Sequence, residues 1–309
     1  MRVLITGGTG FLGLHLKKGL VERSHEVTLY DQNILGSLRS TSATLPEDMI
    51  EGDITDGEVF KNALGSNHIE TVIHLAGLLT EPCQADPVEG TRVNCLGSAV
   101  VFQAAVDLGI KRVIFGSSVA VFHPVSDAPQ DDTPPIMPPS VYGATKVYIE
   151  NLARVLDRTS PETKFTGIRF GWVYGPGRVR GWNVLQEVIE GFALEREEVA
   201  YPDYAEPNDW TYVDDAVHAV IACMESEGLE RPVYNLNGDY RTVQEAVAYL
   251  KRRFSTVKAI PYQADLPPSA WNFNSSWLYQ HTGFQPVIKL EEGLDLTAAG
   301  VRMENGKSV

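Results

Sequence analysis

A glycine-rich turn near the start of the chain constrains the fold most strongly. The stretch TGGTGFLG (residues 6–13) follows an apolar run and opens a stretch with helical periodicity. Its glycines fit the spacing GxGxxG from Gly8 and the variant GxxGxxG from Gly7. Such glycines allow a tight turn and let a pyrophosphate approach the amino terminus of the next helix, although a purely structural turn needs them too. The dinucleotide contacts predicted here are Gly7, Gly10, Phe11, Leu12 and Gly13.

Short β-branched runs alternate with helical periodicity through the first half of the chain. The predicted strands are 2–6, 26–30, 71–75, 112–116 and 164–170. The predicted helices that separate them are 11–23, 57–64, 92–108 and 142–158. Apolar strands that alternate with helices predict an α/β fold, in which a parallel sheet is covered on both faces. Together with the glycine turn, this alternation indicates a Rossmann-type doubly wound sheet.

The alternation breaks after residue 170, where a second part of the chain begins. Helices are expected near 184–194, 213–224, 242–253 and 290–298, with a short strand at 233–237. We predict that residues 1–170 form the dinucleotide-binding domain, to which residues 208–237 return. Residues 171–207 and 238–309 then form a smaller, discontinuous C-terminal lobe that binds substrate. The lobe is expected at the carboxyl ends of the strands, where ligands bind in such folds.

Charge and cysteine content exclude several classes of partner. The formal net charge of −14 argues against a nucleic acid or an anionic membrane surface, since phosphate binding needs clustered Lys and Arg. Cys83, Cys95 and Cys223 form no CxxC pair and the histidine spacing suits no metal, so neither a disulfide framework nor a metal site is expected. The chain opens in a strand without a leader and lacks the run of about 18 apolar residues that a membrane span needs. We therefore expect a cytoplasmic protein that acts on a small molecule.

Two aspartates follow later strands and complete the predicted dinucleotide site. Asp31 stands at the end of the second strand. A carboxylate there accepts hydrogen bonds from the adenosine ribose hydroxyls and repels a 2′-phosphate, which favours NAD over NADP; the alternative is an ordinary turn aspartate. In GDITD (52–56), Asp53 and Ile54 could contact adenine, although an isolated aspartate at such a place is more often a helix cap.

A tyrosine and a lysine share one face of a predicted helix. In SVYGATKVYIEN, Tyr142 and Lys146 lie four residues apart, so a phenol and an ammonium are neighbours. Ser118 ends the preceding strand, and Ser117 is an alternative because the register of the SS pair is open by one residue. Each side chain alone could have an ordinary structural role, but together with the glycine turn they favour acid–base chemistry. The proline-rich segment 124–140 before this helix is expected to be a long loop that covers the site.

Eight motifs occur in order along roughly the first 240 residues. They are TGGTGFLG, GDITD, HLAG (74–77), VNCLGS (93–98), FGSSVAVF (115–122), YGATK (142–146), RFGWVYGPG (169–177) and WTYVDDAV (210–217). Together they resemble the extended short-chain dehydrogenase/reductase family, in its NAD-dependent epimerase/dehydratase-type branch. The resemblance implies an NAD-dependent enzyme with a Rossmann domain and a small substrate lobe. It also implies a homodimer that is paired through helices 92–108 and 142–158.

The resemblance assigns roles to individual residues. The catalytic set maps onto Ser118, Tyr142 and Lys146: the lysine favours the phenolate and bonds the nicotinamide ribose, while the serine holds the substrate oxygen. Further cofactor contacts are Leu75, Ala76, Gly77, Asn94, Tyr142 and Lys146. Asn94 could instead stabilise helix geometry or a water. Substrate contacts are Thr80, Ser118, Trp172, Arg178 and Arg180.

Departures from the family patterns narrow the reaction. Val119 and Ala120 stand where dehydratases carry an Asp-Glu pair, which argues against that route. Trp172 and Asn208 stand where nucleotide-sugar members usually carry an asparagine and an arginine near the diphosphate. The stretch HLAGLLT looks more like that of threonine dehydrogenases and small hydroxy-acid members.

Three functions remain open. The first hypothesis is an NAD-dependent oxidoreductase that transfers hydride between a small polar alcohol or hydroxy acid and NAD. The alternative is an NAD-dependent epimerase of a sugar, uronate or nucleotide sugar that retains its NAD. A third is a non-catalytic NAD-binding sensor, against which the intact Ser, Tyr and Lys set argues. Arg178 and Arg180 could clamp a substrate carboxylate, could equally be solvated loop charges, or could restore phosphate binding.

Overall fold

The structure is a computed structural model of the chain. It describes residues 1–32, 47–122, 136–178, 183–203, 206–264 and 274–308. Its strands are β1 (Arg2–Thr6), β2 (Glu26–Asp31), β3 (Met49–Glu51), β4 (Thr71–His74), β5 (Arg112–Ser118), β6 (Lys164–Phe170), β7 (Trp172–Tyr174), β8 (Glu198–Pro202), β9 (Asn208–Tyr212), β10 (Val233–Asn235), β11 (Asp239–Arg241) and β12 (Lys258–Tyr262). Its helices are α1 (Phe11–Glu22), α2 (Gly57–Ser66), α3 (Thr80–Ala85), α4 (Pro87–Thr91), α5 (Gly97–Asp107), α6 (Val141–Thr159), α7 (Val184–Ala193), α8 (Val213–Glu225), α9 (Val243–Arg253), α10 (Ser276–Thr282) and α11 (Leu290–Glu304). A π-helical turn (Arg92–Leu96) precedes α5, and a 3₁₀ turn (Val119–Val121) follows β5.

Within these residues, seven parallel strands form the main sheet, in the order β10-β6-β5-β4-β1-β2-β3. The chain adds β2 and β3 on one side of β1 and then continues with β4 on the other side. The carboxyl ends of β1 and β4 therefore lie at a topological switch point, where open α/β sheets bind their ligands. The predicted Rossmann-type α/β fold is confirmed.

Helices cover both faces of the main sheet and bury its strands. Side chains alternate between the faces, so Val3 and Ile5 enter one apolar cluster and Leu4 enters the other. The first cluster contains Leu16 of α1, and the second contains Phe102 of α5. Fully burying one such side chain contributes roughly 1.5–3 kcal/mol. Because both faces are buried, each strand is a nearly continuous apolar run in the sequence.

Two small sheets follow β6 in the chain. In one of them β7 pairs in parallel with β9, which pairs antiparallel with β11, and in the other β8 pairs in parallel with β12. Helix α7 packs against α9 and α11. We retain as a proposal that residues 171–207 and 238–309 form the substrate lobe, with residues 1–170 and 208–237 forming the cofactor domain.

Some elements differ from the expectation. The predicted helix 92–108 begins with the π-helical turn, whose Asn94 makes two hydrogen bonds with the backbone of Leu78. Helix α11 continues to Glu304, beyond the predicted end at residue 298. Sequence periodicity does not predict α3, α4, α10 or the strands of the small sheets, because elements this short contain too few turns or alternations.

Three further expectations concern membranes, metals and cysteines. Among the described residues, no helix is both long enough and apolar enough to cross a membrane. The same residues contain no group of His, Cys, Asp and Glu side chains that could hold a metal ion. Cys83, Cys95 and Cys223 are free thiols.

Candidate active site

The glycine turn between β1 and α1 is tightly packed. Gly7 has a φ of +67°, and a Cβ on Gly13 would lie only 2.6 Å from the Gly7 carbonyl oxygen. Gly10 is the N-cap of α1; it has no side chain to cap the helix, and the first turn contains no acidic residue. The amino terminus of this 12-residue helix therefore offers backbone N–H groups and a positive dipole to an anion. This geometry fits a pyrophosphate.

Asp31 lies beside that turn, at the end of β2. Its Oδ2 accepts hydrogen bonds from the Thr9 amide (3.1 Å) and the Thr9 hydroxyl (2.7 Å), and its Oδ1 accepts from the Gln32 amide (2.8 Å). The carboxylate thus braces the turn, and its proposed bonds to the ribose hydroxyls remain a prediction.

Asp53 does not cap a helix, since Asp56 caps α2 by accepting from the Val59 amide. The Asp53 carboxylate instead accepts from the amide and hydroxyl of Thr55 and from Arg92. The neighbouring Ile54 is buried.

The loop after β4 forms the opposite wall of the turn. A Cβ on Gly7 would lie 2.8 Å from the Ala76 nitrogen, so turn and loop touch through their backbones. Asn94 fixes this loop through hydrogen bonds. Its Oδ1 accepts from the Leu78 amide (2.7 Å), and its Nδ2 donates to the Leu78 carbonyl (3.0 Å) and to the Thr145 hydroxyl (3.0 Å). The Asn94 amide is therefore engaged with the protein, whereas Leu75, Ala76 and Gly77 present backbone at the switch point.

The structure brings Ser118 and Tyr142 together. Ser118 ends β5 and Tyr142 lies in the first turn of α6, where the serine hydroxyl is close enough to act on the pKa of the phenol. Ser140 is the N-cap of α6 and accepts from the Gly143 amide (3.1 Å). Lys146 lies one turn further, with its Nζ 5.5 Å from the centre of the Tyr142 ring and donating to the Gly116 carbonyl (2.7 Å).

Burial controls the charge states of this set. It raises the pKa of Tyr142 to about 12, although the nearby Ser118 hydroxyl and the charge of Arg178 act to lower it. Burial lowers the pKa of Lys146 to about 8, against the opposing effects of Cys83, Cys95 and Glu150. Desolvation of the phenol dominates here, and the expectation that Lys146 and the positive nicotinamide together favour the phenolate stays a prediction. The phenol is therefore protonated at neutral pH.

Ser117 points to the other side of β5. Its hydroxyl donates to Glu150 Oε1 (2.6 Å), and Glu150 forms a two-point ion pair with Arg169 (2.8 Å for both bonds). All three side chains are buried. Since neighbouring strand residues face opposite sides, Ser118 alone of the two serines faces Tyr142. The buried ion pair escaped the sequence reasoning, because its members look like ordinary helix and strand charges.

A buried histidine links the two walls of the switch point. Ser98 donates to the Asn94 carbonyl (2.5 Å) and so accepts from His74 Nε2 (2.9 Å). His74 Nδ1 then accepts from the Thr6 hydroxyl (2.7 Å), which in turn accepts from the Ala76 amide (3.3 Å). Burial lowers the pKa of His74 to about 3, so the imidazole is neutral and adopts this order of donors, as expected for a core histidine.

The predicted substrate contacts are spread along the cleft. Thr80 is exposed at the start of α3, and Trp172 is half-buried with its ring 6.1 Å from that of Trp210. Arg178 reaches the same region, where its charge interacts with the Tyr142 phenol. Arg180 lies outside the described residues, as do residues 124–135 of the proline-rich loop.

Comparisons with known proteins agree with this geometry. A family model for the NAD dependent epimerase/dehydratase family matches residues 3–236. UDP-glucose 4-epimerase of Neisseria meningitidis serogroup B is 31% identical over 178 residues, which is 55% of this chain and 52% of that protein. The match thus spans about half the length of this curated relative.

Solved structures match over nearly the whole chain. UDP-glucose 4-epimerase of Thermotoga maritima with UDP-glucose has a TM-score of 0.86 and 25% identity, covering 99% of this chain and 100% of that one. The enzyme of the same name from Thermus thermophilus, in complex with NAD, has a TM-score of 0.84 and 25% identity, covering 98% and 99%.

Proposed function

Because the chain belongs to the NAD-dependent epimerase/dehydratase family and is an NAD-dependent enzyme, we propose that it oxidises and re-reduces a secondary alcohol of a sugar, as a nucleotide-sugar epimerase. The observation that carries the proposal is the placement of the Ser118 hydroxyl beside the Tyr142 phenol, with Lys146 one helical turn away, next to a turn that fits a pyrophosphate. The similarity to UDP-glucose 4-epimerases supports the choice of reaction.

The residues at the switch point fit NAD. The amino terminus of α1, from Gly10 to Gly13, would hold the pyrophosphate, since any side chain at Gly7 or Gly13 would fill the space that the turn needs. Asp31 would hold the adenosine ribose, and Lys146 the nicotinamide ribose. Bound NAD supplies the hydride acceptor for an alcohol and the hydride donor for a carbonyl.

Tyr142 is the proposed proton carrier. Its Oη takes the proton of the substrate hydroxyl during oxidation and returns it during reduction, while Ser118 donates a hydrogen bond to the same substrate oxygen. A protonated phenol is already suited to the reduction step. For the oxidation step, positive charge near the ring must lower its pKa from about 12, and Arg178 acts in that direction.

In an epimerase, the oxidised sugar must also rotate within the site, so that hydride returns to the opposite face of its carbonyl carbon. Ser118 and Tyr142 hold only the reacting oxygen in this proposal, so the remainder of the sugar is free to rotate between the two lobes. The second lobe would then determine which sugars enter.

A dehydrogenase of small hydroxy acids is the second candidate. Trp172 is half-buried against Trp210, and Asn208 is buried within β9. Neither side chain carries the positive charge that a diphosphate favours. These two positions support a smaller substrate than a nucleotide sugar.

Product analysis separates the candidates. The purified protein is incubated with NAD and either UDP-glucose, UDP-glucuronate or a panel of small hydroxy acids, and both NADH absorbance and sugar NMR spectra are followed. An epimerase converts a nucleotide sugar into its isomer without accumulating NADH, whereas a dehydrogenase forms NADH in step with the oxidised product. Absence of both reactions with every substrate would count against the proposal.

We further propose that the protein is a cytoplasmic homodimer. The free thiols are those expected in a reducing compartment. The helices expected to pair two subunits carry exposed apolar side chains, among them Leu96, Tyr148 and Val155.

A further inference from the structure

Glu150 is a buried carboxylate directly behind the proposed active site. Its side chain has no exposed surface, and both of its oxygens accept hydrogen bonds. Oε1 accepts from Ser117 (2.6 Å) and Arg169 (2.8 Å), and Oε2 accepts from Arg169 (2.8 Å) and Arg154 (3.2 Å). Burying an ionised carboxylate is costly unless cations and donors surround it, as they do here. No step of the proposed function uses this arrangement.

One row of residues across three strands fixes the position of this carboxylate. Ser117 of β5 and Asn235 of β10 are both register partners of Arg169 on β6, and Arg169 Nη1 donates to the Asn235 side chain (3.3 Å). The next residue of β5 is Ser118, the proposed catalytic serine. Glu150 is therefore anchored to the sheet one residue before Ser118, which fixes α6 along the strands.

Lys146 lies one turn before Glu150 on the buried side of α6. Residues four apart on a helix are neighbours, and both of these side chains are buried. The Lys146 ammonium donates to the Gly116 carbonyl (2.7 Å), while Glu150 accepts from Ser117, the next residue of β5. Two successive residues of β5 thus hold two successive turns of α6. These contacts determine where the ammonium lies.

The neighbours of Lys146 differ in charge. Four other titratable groups face it: Tyr142 on its own helix, His74 at the end of β4, Cys83 on α3 and Cys95 in the π-helical turn. All four are neutral near pH 7, because burial lowers the pKa of His74 to about 3, raises that of Tyr142 to about 12 and raises those of both thiols. Burial also lowers the pKa of Lys146 to about 8, and the charge of Glu150 opposes this. Among the described residues that face the lysine, Glu150 is therefore the ionised one.

We propose that Glu150 is a positioning residue, which holds Lys146 at the nicotinamide ribose and keeps it in the ammonium form. This inference rests on the proposed function for the contact between Lys146 and NAD. Glu150 and Arg169 then act on the lysine with opposite sign. Without the carboxylate, the Arg169 cation favours the neutral amine, since a guanidinium does not lose its proton. Without the guanidinium, the carboxylate favours the ammonium more strongly.

The pH dependence of NAD binding, measured by calorimetric titration, tests this. Wild-type protein is expected to bind NAD more weakly as the pH rises through about 8, because the ammonium is lost there. Glu150→Gln should shift this midpoint downwards by about one pH unit and Arg169→Met should shift it upwards, while the double variant should lie between them. Ile149→Val is the control, because it shortens a buried apolar neighbour without changing any charge. It should lower stability in urea and leave the midpoint unchanged.

The direction of the shift separates this role from a purely structural one. Loss of a structural ion pair would weaken NAD binding in both single variants without moving their midpoints in opposite directions. Unmoved midpoints, or shifts of the same sign, overturn the inference. So does a midpoint that persists in Lys146→Ala, since another group would then be titrating. If the opposite shifts appear but no sugar is epimerised, the proposed function fails while the role of Glu150 stands. Because each single variant has its own expected direction, either one tests the inference if the other does not fold.

Discussion

Gly143, the residue after Tyr142, lies directly against the backbone carbonyl of Ala120, two residues after Ser118. A Cβ atom at residue 143 would overlap that oxygen and would also press on Pro138. The absence of a side chain lets the first turn of α6 approach the 3₁₀ turn after β5. The approach of Tyr142 to Ser118 therefore depends on a glycine that has no chemical role.

Gly143→Ala is expected to lower both stability and turnover. The opposing atom belongs to the backbone and cannot swing away, and overpacking of this kind typically costs about 1–3 kcal/mol. Helix α6 must then move from Ala120, which separates Tyr142 from Ser118. Gly65→Ala is the matched control, since a Cβ there meets no described atom within 4 Å and alanine favours a helix. Urea unfolding and turnover are compared, and wild-type values for Gly143→Ala would contradict the proposed constraint.

Tyr142→Phe should keep NAD binding and lose turnover by orders of magnitude, because it removes only the proton carrier. Lys146→Ala should weaken both NAD binding and turnover, since the ammonium is proposed to contact the nicotinamide ribose. Tyr148→Phe, on the same helix but exposed, controls for the loss of a hydroxyl. Titration with NAD measures the binding affinity of each variant, and steady-state rates measure its turnover. Near-normal turnover of Tyr142→Phe would show that another group carries the proton.

The sequence predicts the main sheet well and the details of the site less well. Strands such as Arg2–Thr6 and Lys164–Phe170 coincide with their predicted bounds, because strands buried on both faces are short apolar runs. The choice between Ser117 and Ser118 could not be made, since a shift of one residue moves a side chain to the other face. In the structure the choice is made by the buried ion pair of Glu150 with Arg169, to which Ser117 is bonded. That pair forms only when distant segments of the chain come together.

The pKa of Tyr142 shows a second limit of prediction from the sequence. Spacing along a helix predicts that Tyr142 and Lys146 are neighbours, and they are. It does not predict how far each is desolvated, which depends on every element packed around them. In the structure burial outweighs the neighbouring charges and raises the pKa of the phenol to about 12.

The free energy of unfolding should fall as the pH is lowered from about 6.5 towards 3, because in that range His74 takes up a proton in the unfolded chain but not in the folded protein. Burial, together with the charge of Lys146, lowers the pKa of His74 from 6.5 to about 3. Between these values the unfolded chain binds a proton that the folded protein does not. The contribution of the neutral His74 to the free energy of unfolding is therefore complete above pH 6.5 and is lost as the pH falls towards 3. The slope is at most about 1.4 kcal/mol per pH unit.

Urea unfolding at about pH 7 and about pH 5 measures this slope, in a range above that in which most carboxylates titrate. His74→Asn should be less stable and should lose the corresponding part of the slope. His218→Asn, at an exposed position on α8, is the control and should retain it. Identical slopes for the wild type and His74→Asn would contradict the neutral, buried imidazole.

NAD should be strongly preferred to NADP, because Asp31 would face the 2′-phosphate. Asp31→Asn keeps an oxygen that can accept from Thr9 but removes the charge. We expect this variant to raise the affinity for NADP relative to NAD by about tenfold or more. Asp48→Asn, at a partly exposed aspartate paired with Lys17, is the control. Comparable affinities of the wild-type protein for the two nucleotides would refute the role of Asp31.

A homodimer should depend on the exposed face of α6. Tyr148 and Val155 are 44% and 45% exposed, and residues seven apart lie on the same side of a helix. Burying this apolar stripe against a second copy would remove it from water, so Tyr148→Glu with Val155→Glu should give a monomer in sedimentation velocity. Val21→Glu is the matched control, because Val21 is a similarly exposed valine on α1, a helix not proposed to pair subunits. A wild-type monomer, or a dimer that persists in the double variant, would exclude this interface.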